Sequence, residues 1–188
     1  MKIIVGLGNP GEEYELTRHN TGRIVLFKFL KAQKFSEPVE NKKIKALKTE
    51  GKVRNEKVIV LMPETYMNKS GLSLKNIITS KKKAADMVVV HDDIDLPLGK
   101  YKISFGRGSA GHKGVESIIR MVKTKDFTRI RIGISPATPT GKIKKPKGDK
   151  LLDFITGKFK QSELEVLEKS AKEIIPELEV IVQGRSSK

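Results

Sequence analysis

The chain opens on a strand pattern that stops abruptly. Within MKIIVGLGNPGEEYELTRHNTG, Lys2 to Val5 is a short apolar, β-branched run, and Gly6, Gly8, Pro10 and Gly11 follow at once. The first part reads as a buried strand and the second forces a turn. About ten residues on, Thr17-Arg18-His19-Asn20-Thr21 forms a polar cluster placed to cap a helix carrying Ile24, Leu26, Phe27 and Leu30. Strand, glycine loop and helix in that order open an α/β fold, whose sites lie in the loops at the carboxyl ends of parallel strands. His19 is therefore the expected reactive group.

The remainder alternates in the same manner. Lys42 to Glu50 and Lys57 to Leu61 read as a hairpin turning over Gly51 to Glu56. Met62-Pro63-Glu64-Thr65-Tyr66-Met67-Asn68-Lys69-Ser70-Gly71 interrupts the pattern before a helix with Leu72, Leu74, Ile77 and Ile78, closed by Lys81-Lys82-Lys83 where cations suit the helix dipole. Met87 to Val90 is a continuous apolar run, as in a strand covered on both faces, and it leads into His91-Asp92-Asp93-Ile94-Asp95. Tyr101 to Phe105 reads as a strand, Gly106 to Gly114 as a loop, and Val115, Ile118, Ile119 and Val122 as a helix face. Phe127 to Ile134 alternates apolar residues with Arg129 and Arg131, which predicts a strand with one polar side. Pro136 to Lys150 reads as a mobile basic loop, Lys150 to Val182 as helix, and 184–188 as a frayed end. The expected architecture is one α/β domain over residues 1–188, with a mixed, mostly parallel twisted sheet flanked by helices.

Charge and cysteine content narrow the function. Lys and Arg number 38 against 22 Asp and Glu, a formal net charge of +16 spread along the chain, and no cysteine is present. Thiolate chemistry is excluded. The charge suits a polyanionic partner, RNA, DNA or an anionic membrane, with a solvated lysine-rich surface as the alternative. No run of about eighteen apolar residues could span a bilayer, and Met1 leads into a core strand rather than a secretory signal, so a cytoplasmic protein is expected.

Two nucleotide motifs fail on context. Gly6-Leu7-Gly8-Asn9-Pro10-Gly11 satisfies G-x-G-x-x-G after a strand, but no long helix opens inside the glycines and no acid ends a second strand near residue 30. The Gly106 to Gly114 loop has His112 where a phosphate-binding lysine would stand. The histidines, His19, His91 and His112, lack zinc-motif spacing, so no metal is expected. His91 and His112 read as loop or capping residues. His19 stands apart because Asn9, Asn68 and Asp92 are all expected at strand exits facing one crevice. A histidine, an acid to orient it and amides to hold a carbonyl suffice to hydrolyse an ester with activated water.

VGLGNPGEEYELTRHNTG, PETYMNKSG, HDDIDLPLGKYKI, GSAGHKG and RIRIGI together resemble bacterial peptidyl-tRNA hydrolase, in that family's order and spacing. The resemblance implies a cytoplasmic monomer, without metal or cofactor, that cleaves the ester between a peptide and the tRNA 3′ end and so recycles tRNA from peptidyl-tRNA released by ribosomes. It implies His19 as the base and Asp92 as the group fixing its tautomer. Asn9 would distinguish an acylated amine, and Asn68 with Met67 would hold the peptide backbone. Tyr14 and Tyr66 would contact the tRNA end, and Arg131 a phosphate of the acceptor arm.

Two positions depart from the family pattern. Lys113 stands where the family usually has asparagine, and it is expected to donate a charge-assisted bond to a peptide carbonyl or a phosphate, the alternatives being a cation close enough to His19 to disfavour its imidazolium and a lysine pointing out into solvent. A basic residue expected on the preceding strand falls on Ser104, with Lys102 on the same face as its stand-in. Plant organellar splicing factors similar to this family bind RNA without hydrolysing it, and a non-catalytic relative of that kind is the alternative.

Overall fold

The computed structural model describes residues 1–138 and 140–184. Its strands are β1 (Lys2–Gly6), β2 (Val39–Asn41), β3 (Ala46–Val53), β4 (Glu56–Pro63), β5 (Met87–Pro97), β6 (Tyr101–Phe105) and β7 (Thr128–Ser135). Its α-helices are α1 (Thr21–Ala32), α2 (Lys81–Ala85), α3 (Lys113–Val122), α4 (Asp149–Thr156) and α5 (Gln161–Val182). The strands form one sheet in the order β2-β3-β4-β1-β5-β7-β6. β4, β1, β5 and β7 pair in parallel, while β3 and β6 run against them and β2 runs against β3. Only β3 and β6 therefore oppose the common direction, and the expected mixed, mostly parallel α/β sheet is what forms.

Both faces of the sheet are covered, which is why β1 and the start of β5 are apolar at successive positions. On one face α1 and α5 bury Leu26, Phe29, Leu167, Ile174 and Leu178 against Ile4, Val90, Ile130 and Ile132. On the other, α3 and a 3-10 helix over Met67–Leu74 bury Met67, Leu74, Val115 and Ile118 against Val5, Leu61 and Val89. Each large side chain so buried contributes about 1.5–3 kcal/mol.

Several expected boundaries move. The segment after Gly71 does not continue as one helix: the 3-10 helix ends at Leu74, and α2 starts afresh behind Ser80, whose hydroxyl caps it by accepting from the Lys83 N–H at 3.2 Å. Lys81 to Lys83 thus begin a helix rather than close one. The strand expected from Lys42 starts at Ala46, because Lys45 adopts φ 51° in the turn out of β2. The β3–β4 turn narrows to Arg54 and Asn55, with Arg54 at φ 53°. Lys150 to Val182 is two helices broken at 157–160, and α4 begins inside the expected loop. That loop folds back on itself, with the Thr138 N–H on Lys142 O and the Lys144 N–H on Pro136 O, both at 2.9 Å. Pro139 and residues 185–188, most of the expected frayed end, lie outside the described residues.

The seating of α1 sets everything around His19. The Arg23 N–H donates to Leu7 O at 3.2 Å and the Leu7 N–H to Val90 O at 3.0 Å, so the first turn of α1 lies against the carboxyl end of β1 and the stretch of β5 beside it. Gly22 permits this approach, since a Cβ there would stand 2.2 Å from Val90 O and 2.7 Å from Leu7 N and O. Backbone atoms cannot swing aside as a side chain can. Gly22→Ala is therefore expected to destabilise the fold by about 3 kcal/mol or prevent it. Gly108→Ala, where a Cβ meets nothing within 4 Å, serves as the near-neutral control, with urea denaturation midpoints as the measurement.

Candidate active site

The loop leaving β1 is held by amides. Asn20 clasps Asn9 from both sides: Oδ1 accepts the Asn9 N–H at 2.8 Å and Nδ2 donates to Asn9 O at 3.0 Å. Arg23 Nη1 adds a bond to the same carbonyl at 3.0 Å, while its Nη2 pairs with Glu64 beyond β4. Asn9 Oδ1 in turn accepts the Met67 N–H at 2.8 Å, tying the β1 exit to the 3-10 helix after β4. With its oxygen occupied, the Asn9 amide keeps Nδ2 as a donor that bonds to no described residue. Asn20 was expected only to cap α1, yet its side chain makes no capping bond there and is spent wholly on Asn9. Nothing in a capping pattern distinguishes the two uses.

His19 lies in a 3-10 turn over Arg18–Asn20, immediately before α1. Its Nδ1 donates to Asp92 Oδ2 at 2.9 Å and Oδ1 at 3.0 Å, since a carboxylate can only accept. The neutral ring then carries its lone pair on Nε2, which bonds to no described residue and borders a pocket. Asp92 was expected on a strand-exit loop. It sits instead within β5, which continues to Pro97 with a register irregularity after Asp93.

His112 is the group the sequence reading undervalued. As N-cap of α3 its Nδ1 accepts the N–H groups of Gly114 at 3.1 Å and Val115 at 3.3 Å, so the proton of the neutral ring is on Nε2. That Nε2–H donates to Asp92 Oδ1 at 2.9 Å. The capping expectation holds, but one ring performs two tasks. His91 Nδ1 donates to the Asp92 main-chain carbonyl at 2.7 Å, and its ring meets His112 edge-on with centroids 4.6 Å apart.

Burial and charge act in opposition here. Burial alone disfavours the imidazolium of His19, but the charge of Asp92 and its hydrogen bond outweigh this and raise the pKa above the ordinary histidine value. Burial likewise disfavours ionised Asp92, and the His19 and His112 rings overcome it, holding the carboxyl far below the usual carboxylate range. His91, fully enclosed and beside His112, is held well below the ordinary histidine value and stays neutral.

The histidines and Asp92 form one wall of a cavity of about 410 Å³, and Leu151, Leu152 and Ile155 of α4 form an apolar wall. Met67 is buried, Asn68 is exposed beside it with its side chain unpaired among the described residues, and Tyr66 is exposed while Tyr14 is half-buried. Lys113 lines the cavity rim, but its ammonium lies 3.4 Å from Glu116 on its own helix and its side chain is 69% exposed. Exposed Lys102 stands directly across from Arg131 in the β6–β7 register, and Arg131 Nε bonds Asp93 Oδ2 at 2.6 Å. Ser104, opposite buried Arg129 on that face, has its hydroxyl buried without a described partner.

His19 Nδ1, an Asp92 oxygen and His112 Nε2 lie within 4.8 Å of one another, a spacing compatible with a metal ion. The donor set does not suit one. With Nδ1 of His112 accepting two backbone amides, Nε2 holds the proton and offers no lone pair to a cation.

A family model described as peptidyl-tRNA hydrolase matches residues 3–188. A peptidyl-tRNA hydrolase of Syntrophotalea carbinolica is 38% identical over 184 residues, covering 97% of this chain and 91% of that one. One of Bacillus thuringiensis is 42% identical over 166 residues, covering 87% and 83%. The crystal structure of peptidyl-tRNA hydrolase from Acinetobacter baumannii superimposes with TM-score 0.86 at 27% identity, covering 98% of this chain and 89% of that one.

The balance at His19 has a measurable consequence. A base whose pKa is raised is lost as pH falls through that raised value, so the acid limb of kcat/KM is expected above the ordinary histidine pKa. Asp92→Asn removes the charge and leaves burial to dominate. The acid limb should then move to lower pH, and the plateau rate should drop about tenfold or more because the imidazolium loses its counter-charge. An unmoved limb would separate Asp92 from the titrating group.

Proposed function

The chain belongs to the peptidyl-tRNA hydrolase family and hydrolyses peptidyl-tRNA, and we propose that Nε2 of His19 activates the attacking water. The observation that carries this reading is the fixed tautomer: Asp92 accepts the hydrogen bond of His19 Nδ1–H and so keeps the proton on that nitrogen, which leaves the unpaired Nε2 as a base. Water gives a proton to Nε2 while its oxygen adds to the ester carbonyl. As the tetrahedral intermediate collapses, the bond to the ribose oxygen breaks and His19 returns the proton to that oxygen. Asp92 stabilises the imidazolium in between. The free Nδ2 of Asn9 and the exposed amide of Asn68 flank the buried Met67, an arrangement that supports holding the peptide beside the scissile bond. Asn9 is the group suited to test whether the substrate amine is acylated.

On the nucleic-acid side, we assign Lys102 and Arg131 to phosphates of the acceptor arm, with Tyr14 and Tyr66 near the tRNA end. A net charge of +16 supports a polyanionic substrate, and the cross-strand Lys102–Arg131 pair supplies a local row of it. Lys113 serves at the cavity rim, where exchanging Glu116 for a substrate oxygen needs only side-chain rotation. We take the enzyme to act as a cytoplasmic monomer, without metal or cofactor, on peptidyl-tRNA released from ribosomes. No helix among the described residues is long and apolar enough to cross a membrane. The non-catalytic splicing-factor alternative is not favoured, because relatives at 38% and 42% identity are named as hydrolases.

His19→Ala is expected to lower hydrolysis of an N-acylated aminoacyl-tRNA by roughly a hundredfold or more while leaving tRNA binding near the parent value. Full activity would remove His19 from the chemistry. For the charge, affinity should fall steeply with salt, each phosphate contact adding nearly one unit to the log-log slope. Replacing Lys142, Lys144, Lys145 and Lys147 together by glutamine should flatten that slope if the 136–148 segment meets the tRNA, and an unchanged slope would leave those lysines to solvation.

A further inference from the structure

The apolar wall of the cavity is built by a helix that has little else to hold it. α4 contains no buried residue, yet Leu151, Leu152 and Ile155 face His19, Asp92 and His112 across the cavity. Phe154 and Ile155 pack against the core but stay only partly buried, so much of its anchorage lies elsewhere.

It lies in Arg18, the neighbour of His19. This arginine is 8% exposed, and its Nη1 donates to three carbonyls at the end of α4, those of Phe154 at 3.5 Å, Gly157 at 3.2 Å and Lys158 at 3.1 Å. Such carbonyls have no partner within the helix and carry the negative end of its dipole, so a buried cation suits them. Nη2 holds both oxygens of Glu163 at 2.8 and 3.0 Å, and the guanidinium lies 4.6 Å from the ring centre of Phe154 and 5.4 Å from that of Phe159. The main chain joins in: the Arg18 N–H donates to Gly157 O at 3.1 Å and the Phe159 N–H to Leu16 O at 2.9 Å. Glu163 also accepts the Lys160 N–H at 2.7 Å, so the carboxylate that neutralises Arg18 starts α5 as well. The helix break at 157–160 is thus where one arginine collects its acceptors.

We propose that Arg18 is a positioning residue for substrate binding: by clamping the carboxyl end of α4 to the turn that carries His19, it sets the apolar wall of the cavity at a fixed distance from the reacting ester. The inference rests on the assignment of that cavity to the substrate. Arg18 touches neither the reacting atoms nor Asp92, so its removal loosens the wall and weakens ground-state binding more than it slows the chemical step. Lysine cannot replace it, because an ammonium has no planar fork to reach three carbonyls and a carboxylate at once.

The test is steady-state hydrolysis of an N-acylated aminoacyl-tRNA by Arg18→Lys, by Leu152→Ala in the wall, and by the double variant. Arg18→Lys should raise KM at least about fivefold, with kcat within about twofold and the acid limb unmoved. The double variant should be little worse than the worse single, because both changes disable one wall. Hydrogen exchange over residues 149–157 should accelerate in Arg18→Lys. Should Arg18→Lys fail to fold, Glu163→Gln, which weakens the same clamp, should raise KM in the same direction. An unchanged KM, fully multiplicative effects, or a loss confined to kcat with a shifted limb would each overturn the proposal. His19→Ala in the same assay tests the site itself, for it should lose kcat whatever Arg18 does.

Discussion

A buried carboxylate shared by two histidines is the interaction on which this site depends. Asp92 is 2% exposed, and an unpaired charge at that depth would cost several kcal/mol. His19 and His112 both reach it, one from the turn before α1 and the other from the N-cap of α3, with their ring centres 5.1 Å apart. Each histidine is fixed by what its other side does. His112 cannot turn without releasing the first amides of α3, whereas His19 leaves its second nitrogen free. Two identical side chains on one carboxylate thus take different roles: one is locked as a donor and the other is left as a base.

The scaffold that brings these groups together is mostly main chain. Gly22 lets α1 lie against the end of β1 and against Val90 within β5, and the amide exchange between Asn9 and Asn20 holds the loop between β1 and α1 to that helix. From Asn9 the order passes to Met67 and thus to the far face of the sheet. The apolar wall of the cavity is held differently, since α4 has no fully buried residue and the polar bonds of Arg18 supplement the partial packing of Phe154 and Ile155. A polar wall fixed by hydrogen bonds to the sheet accordingly faces one whose seating rests largely on the polar contacts of one arginine.

The charges divide in the same way. Arg18 and Arg23 are each tied to an acid, Glu163 and Glu64, and serve as fixed parts of the fold, while Arg131 is held by Asp93 but stays partly exposed. Lys102 and the lysines of the 136–148 segment are exposed and add to the electrostatic field more than to the fold. Composition could count these charges but could not sort them. The sorting follows from burial, which only the folded chain assigns.

Much of the molecule was legible in its residues. The apolar runs of β1 and of Met87 to Val90, the glycines at Gly6 to Gly11 and the acid at Asp92 announce a parallel sheet with a site at its carboxyl edge, because strand period and turn chemistry are local properties. The place of His19 between the glycine turn and α1 was legible for the same reason. The helix expected after Gly71 and the single helix expected after Lys150 were misread, since an apolar period continues past breaks that Ser80 and the acceptors of Arg18 impose. The sequence by itself determined the alternation of elements, the excess of cations and the presence of a histidine, an acid and two asparagines at or beyond the ends of apolar strand runs. Tertiary structure alone decided that His112 joins Asp92, that Asn20 serves Asn9 and that Arg18 holds α4. These are contacts between residues 11 to 140 positions apart, set by how the sheet folds the chain back on itself, and no local pattern encodes them.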